Sequence, residues 1–199
     1  MPSISEVAIC NQGLGWLGAS LITSFDDTTK EANLCQANYD YLRDVVLEAA
    51  DWSFALKRVQ LSQAGDADKV IGYGQAYQVP SDCLRVIQAS PNTDFDTTDP
   101  VLWEYEDRKV LTDEGTIYIK YVARIEDPVR YSPGFVNALA YRIASELAIP
   151  ITRSRALQEQ MFTLYEMRKD EAMGMDGKQG RTRRIQSTWS DRSRRGVTY

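Results

Sequence analysis

The sequence predicts an α+β protein: a helical bundle, two helices before and two after an inserted antiparallel β meander, followed by an extended C-terminal arm. Two changes of rhythm predict it. Apolar residues recur at helical spacing up to about residue 50 and again beyond 132, while period-two alternation broken by turn residues fills 54–124. The last 22 residues, 178–199, then hold too few apolar side chains to build a core. The expected organisation is a body, 1–177, and an arm, 178–199.

The first helix is predicted over 3–14. Ser3-x-x-Glu6 fits a capping box, in which hydroxyl and carboxylate each satisfy an orphan backbone donor. Val7, Ala8 and Leu14 are expected to be partly buried, and Gly13, Gly15 and Gly18 end the helix. A second capping box, Thr28-x-x-Glu31, opens a helix over 28–50. Its stripe of Ala32, Cys35, Tyr39, Leu42, Val46 and Ala49 steps by three and four residues.

Alternation begins at Phe54 and predicts a strand to Leu61. A polar loop follows to Gly74. Strands are expected over 76–79 and 83–89, divided by the Pro80-Ser81-Asp82 turn. Residues 90–100 read as an exposed acidic loop. Further strands are expected over 101–105, 109–111 and 116–124, the last with Ile117, Ile119, Tyr121 and Ala123 on one face. Ser132 followed by Pro133 opens a helix over 132–149. Phe135, Val136, Leu139, Ala140, Ile143 and Leu147 form its buried stripe, and Pro150 stops it. Thr152 or Ser154 caps a last helix over 154–173, with Leu157, Met161, Leu164 and Tyr165 inward and Gly174 and Gly177 closing it.

Composition narrows the chemistry. No run of 18 apolar residues is present, so no membrane-spanning helix is expected. The N-terminus shows no basic stretch leading into an apolar one, so no signal peptide is expected. Cys10, Cys35 and Cys83 read as buried free thiols, which suits a reducing compartment. The chain has no histidine. That removes the usual general base of serine and cysteine hydrolases and most zinc sites. No catalytic residue, metal ligand or cofactor site is expected.

Apparent motifs resolve into plainer readings. Gly13-x-Gly15-x-x-Gly18 fits a dinucleotide fingerprint in spelling, but a capped helix precedes it where a strand is required. It reads as a helix terminus and turn. Asn92, Asp94 and Asp96 match the first ligand positions of a calcium loop, yet Thr97 and Trp103 stand where Gly and Glu are needed. The carboxylate pairs Asp26/Asp27 and Glu104/Glu106 read as wet surface rather than acid–base machinery. Trp52, Phe54, Tyr73, Tyr77, Trp103 and their neighbours lie in the strand region among many acids. Phosphate is repelled there, so they read as sheet core and subunit contact rather than a base-stacking platform.

Charge is the most unequal property of the chain. Seven of its 23 basic residues and only one of its 28 acidic residues fall in 178–199. The arm therefore carries +6 and the body −11. Three readings of the arm are open: a solubilising tail, a DNA contact driven by counterion release, or a segment that docks on a protein partner. Trp189 and Tyr199 favour the third, because large aromatic anchors belong to interfaces. The candidate partner-binding residues are Arg181, Arg183, Arg184, Trp189, Arg192, Arg194, Arg195 and Tyr199.

Several segments in order carry a family resemblance. They are Ala8-Ile-Cys-Asn11 with Leu14 and Leu17-Gly18; Ala32-Asn-Leu-Cys35 with Tyr39-Asp40; Leu47 with Trp52-Ser-Phe-Ala55 and Arg58; and Tyr77-Gln-Val-Pro80 with Ser81-Asp-Cys83-Leu-Arg-Val86. Then come Tyr118-Ile-Lys-Tyr121, Asp127-Pro128, Phe135-Val-Asn-Ala-Leu-Ala140 and Ala144-Ser-Glu-Leu-Ala148 before Pro150. Over about residues 4 to 170 this series resembles tail tubular protein A, the head–tail adaptor of short-tailed bacteriophages; the arm is not part of the pattern. The resemblance implies a structural virion protein, made in the host cytoplasm and placed in the tail next to the portal. It implies a ring of twelve copies joining portal to tail nozzle, with genomic DNA passing through the lumen, and no enzymatic, cofactor or membrane role. Carried onto that setting, the arm is expected to grip the portal. The alternative from the residues themselves is a DNA-binding virion module using the same arm.

Overall fold

A computed structural model of the chain describes residues 4–65, 72–93, 95 and 101–176. Among the described residues it is a mixed helix-and-sheet fold of four α-helices and two antiparallel sheets. The helices are α1 Glu6–Trp16, α2 Lys30–Glu48, α3 Pro133–Thr152 and α4 Arg155–Asp176. α3 is the central helix, packed against α1, α2 and α4.

The helix ends follow capping chemistry, with corrections. α1 is capped by Ser5, whose hydroxyl accepts from the Ala8 amide, rather than by Ser3. α2 is capped by Thr29, not Thr28, through the Ala32 amide. For α2 the predicted cap fell one residue short because the adjacent Thr28 and Thr29 both offer a hydroxyl; Ser3 lies outside the described residues. Ser132 caps α3 and Ser154 caps α4 as expected. Gly13 and Gly15 lie inside α1 and do not end it; Gly18, at φ +67°, is where the backbone turns away. Pro150 does not stop α3. The helix runs on to Thr152 and ends at Arg153 in the left-handed conformation. One missing amide near a C-terminus leaves only the Glu146 carbonyl without its helical donor, and packing on both sides of α3 outweighs that loss. Gly174 likewise lies within α4.

The predicted stripes are buried. Ala32, Cys35, Tyr39, Leu42 and Val46 face the core from α2, and Phe135, Leu139, Ala140, Ile143 and Leu147 from α3. Ala8 and Ala49 are exposed, against expectation, while Ile9, Cys10 and Leu47 take the buried positions.

The strand region is not a meander. Its strands are β1 Leu56–Gln60, β2 Ser62–Gln63, β3 Gln75–Gln78, β4 Cys83–Ser90, β5 Glu104–Glu106, β6 Lys109–Thr112 and β7 Tyr118–Ala123. They divide into a three-stranded sheet ordered β1-β7-β4 and a four-stranded sheet ordered β2-β3-β6-β5. Only β2–β3 and β5–β6 are neighbours in both sequence and space; alternation reports faces, not partners. Ile117, Ile119, Tyr121 and Ala123 are buried on one face as expected, but Val122 is fully buried too, so β7 is covered on both sides. Trp52 and Phe54 precede the first strand: Ser53–Ala55 is a 3-10 turn. The Trp52 indole donates to the Val46 carbonyl at 2.8 Å, and Trp52, Phe54 and Tyr131 ring Phe135 with centroids 4.8–5.2 Å away. This aromatic knot joins the helices to the strands.

Candidate interaction surfaces

All eight predicted arm residues, Arg181 to Tyr199, lie outside the described residues. What is described is the base from which the arm departs. α4 ends at Asp176, whose carboxylate accepts from the Ser53 amide and the Ser53 hydroxyl, both at 2.6 Å. Residues 123 positions apart are thus tied together beside the aromatic knot. Charge-assisted bonds of this kind contribute roughly 1.5–3 kcal/mol each, so the arm's origin is fixed relative to the body. Sequence reading missed this anchor: the last helix was expected to end at 173, and nothing in the local pattern of Asp176 points to Ser53.

The α3–α4 seam is held by cations over rings. The Arg142 guanidinium lies 5.2 Å from the Phe162 centroid and 5.7 Å from that of Tyr165, and it pairs with Glu146 at 2.7 Å. The Lys169 ammonium lies 5.5 Å from the same Tyr165 ring. Glu166, hydrogen-bonded to it, holds it above the ordinary lysine range. Phe162 stays partly exposed at the edge of the seam, and Met167 and Met175 of α4 are exposed.

An ionic chain centred on the buried Arg43 links α2 to the residue after β7. Arg43, with 6 % of its side chain exposed, bonds Asp40 at 2.8 Å and Asp44 at 2.9 Å. Asp44 in turn accepts from Arg124 at 2.7 Å. Arg85 of β4 reaches Asp51 at 2.5 Å and the Glu48 carbonyl at 3.0 Å, a second clamp between sheet and helix.

The predicted carboxylate pairs stay at the surface. Asp27 accepts from the Thr23 and Ser24 amides, the main reason its carboxyl sits below the usual range. Glu104 and Glu106 are exposed on β5. Asp94 and Asp96 lie outside the described residues. Among the described residues no group of three or more acidic, cysteine or histidine side chains is placed to hold a metal. The three cysteines are free and buried. A hydrogen bond with Cys35 and burial push the Cys10 thiol up, and burial raises Cys83 to about 11. No helix among the described residues is long and apolar enough to cross a membrane.

A groove of about 620 Å³ opens where the start of α1 meets the 24–26 loop and the 127–129 turn. Ile4, Val7, Phe25, Pro128 and Val129 supply its apolar lining. Glu6, Asp26 and Asp127 supply the only charges among its lining residues. Sequence reading used Asp127-Pro128 only as a segment of the family resemblance and did not bring it together with Glu6 and Phe25.

Comparison of the chain with protein-family models finds no match, and comparison with curated proteins finds no significant one.

Proposed function

We propose that the chain is a non-enzymatic virion protein: an adaptor that forms a ring between the portal and the tail nozzle of a short-tailed bacteriophage and lets DNA through. The observation that carries this reading is the division of charge, an acidic body of −11 bearing an arm of +6. The ordered resemblance of residues 4 to 170 to the head–tail adaptor family supports it. A ring needs heterologous contacts, in which one face of a subunit meets a different face of the next. An acidic lumen repels duplex DNA and keeps it from adhering during ejection. Twelve arms acting together multiply a modest affinity. Arg183, Arg184, Arg194 and Arg195 pair with portal carboxylates, and Trp189 is the apolar anchor. The anchoring of Asp176 by Ser53 gives every arm in the ring the same point of departure.

Deleting 178–199 is expected to leave the body folded, by circular dichroism, and to abolish joining to purified portals. Normal occupancy of portals by the truncated protein would refute the docking role. Electron microscopy of particles should show the ring between capsid and tail tip. Binding to duplex DNA should be weak and shallow in its salt dependence; a steep slope would favour the DNA-binding alternative.

A further inference from the structure

We infer that the groove at the start of α1 is the dock for the basic arm, 178–199, of a second copy of this chain. The inference rests on the ring reading only for its head-to-tail geometry, and it concerns the protein before a portal is present. The groove offers two kinds of surface at once. Ile4, Val7, Phe25, Pro128 and Val129 form apolar patches in an otherwise polar lining, and Val129 is 72 % exposed there, uncovered by anything else in the described chain. Its charges are Glu6, Asp26 and Asp127, with no basic residue in the lining. Asp40 and Glu126 add further negative potential at Glu6, offset in part by Arg43. An occupant must therefore bring several cations together with an apolar side chain.

The arm has that composition. Arg181, Arg183 and Arg184 precede Ile185 and Trp189, and Arg192, Arg194 and Arg195 follow. Guanidinium groups reach carboxylates with two parallel bonds, and an indole covers apolar surface at small entropic cost. A 22-residue chain extends roughly 70–80 Å, enough to leave the Asp176 anchor and cross to a neighbouring molecule. Supplying the arm to one copy while receiving an arm from a different one is a heterologous contact, which closes into a ring or propagates. Because the same arginines serve the portal in the reading above, portal and groove compete for the arm. The groove holds the arm until the portal takes it.

The test uses the full chain without any portal. Sedimentation velocity at low salt should show self-association that weakens as salt rises. Glu6→Lys with Asp26→Lys in the groove, or Arg183→Glu with Arg184→Glu in the arm, should each weaken it by about tenfold or more, equivalent to 1.4 kcal/mol. An equimolar mixture of the two variants should recover heterodimers, because it retains one unmodified groove and one unmodified arm. Glu104→Lys with Glu106→Lys on β5 should change nothing. Melting curves of each variant report whether the body is intact. The idea fails if the wild type is monomeric at low salt, if the mixture does not recover association, or if the β5 variant weakens it equally. Such a failure would leave the portal role standing, since portal binding by the deletion protein is read separately.

Discussion

Gly13 is where α1 comes closest to α3. A methyl group on it would lie 2.9 Å from the Ala140 carbonyl oxygen and 3.4 Å from the Ala144 amide nitrogen, both backbone atoms that cannot step aside alone. Gly15, one turn-half away, has nothing within 4 Å of the same position. The two glycines read alike in sequence and behave oppositely. Gly13→Ala should destabilise the protein by about 1–3 kcal/mol through overpacking. Gly15→Ala should stabilise it by about 0.5–1 kcal/mol through helix propensity. Urea unfolding of both variants separates them; equal effects would contradict the close packing of α1 on α3. Arg43 supplies a second test. Replacing it with Ala leaves Asp44 with Arg124 but removes the buried guanidinium that joins Asp40 to Asp44. A loss of about 1 kcal/mol is expected, because the carboxylate left without Arg43 is exposed and screened by water, and unfolding midpoints measure it.

At the scale of elements, periodicity made most of the fold legible. The stripes of α2 and α3 are buried as their spacing predicts, because a helix that packs on one side must carry its apolar residues there. The capping serines of α3 and α4 were readable for the same local reason. Ser154→Ala should cost about 1 kcal/mol, visible as a lowered melting temperature. Sheet partnership was not legible. β7 lies between β1 and β4, so its partners come from distant stretches of chain, and alternation carries no record of that. Nor was the survival of α3 past Pro150, which depends on tertiary packing rather than on the proline. The candidate arm was read from charge alone, and its residues lie outside the described ones. Its anchor at Asp176 and the groove around Phe25 and Val129 were not legible, since both are assembled from segments far apart in sequence.

For the whole molecule, the joint between helices and strands sets the response to alkali. Tyr131 lies within that joint, and burial raises its hydroxyl to about 12; Cys83 opens β4, and burial raises its thiol to about 11. Both groups are held protonated by folding. Their contribution is complete below the unfolded values of 9.0 for Cys and 10.0 for Tyr, and it is lost as pH climbs through the raised ones. The melting temperature should fall between pH 9 and 12, and Cys83→Ala should flatten the lower part of that fall. A flat profile in the wild type would mean that neither group is shielded. The joint also decides how the molecule would bear tension. α2 packs on β4 and β7, both in the three-stranded sheet, whereas β5 is an edge strand of the other sheet whose ladder partner is β6. A pull applied at β5 would therefore unzip the outer sheet rung by rung at low force, a mechanical fuse that spares the helices behind it.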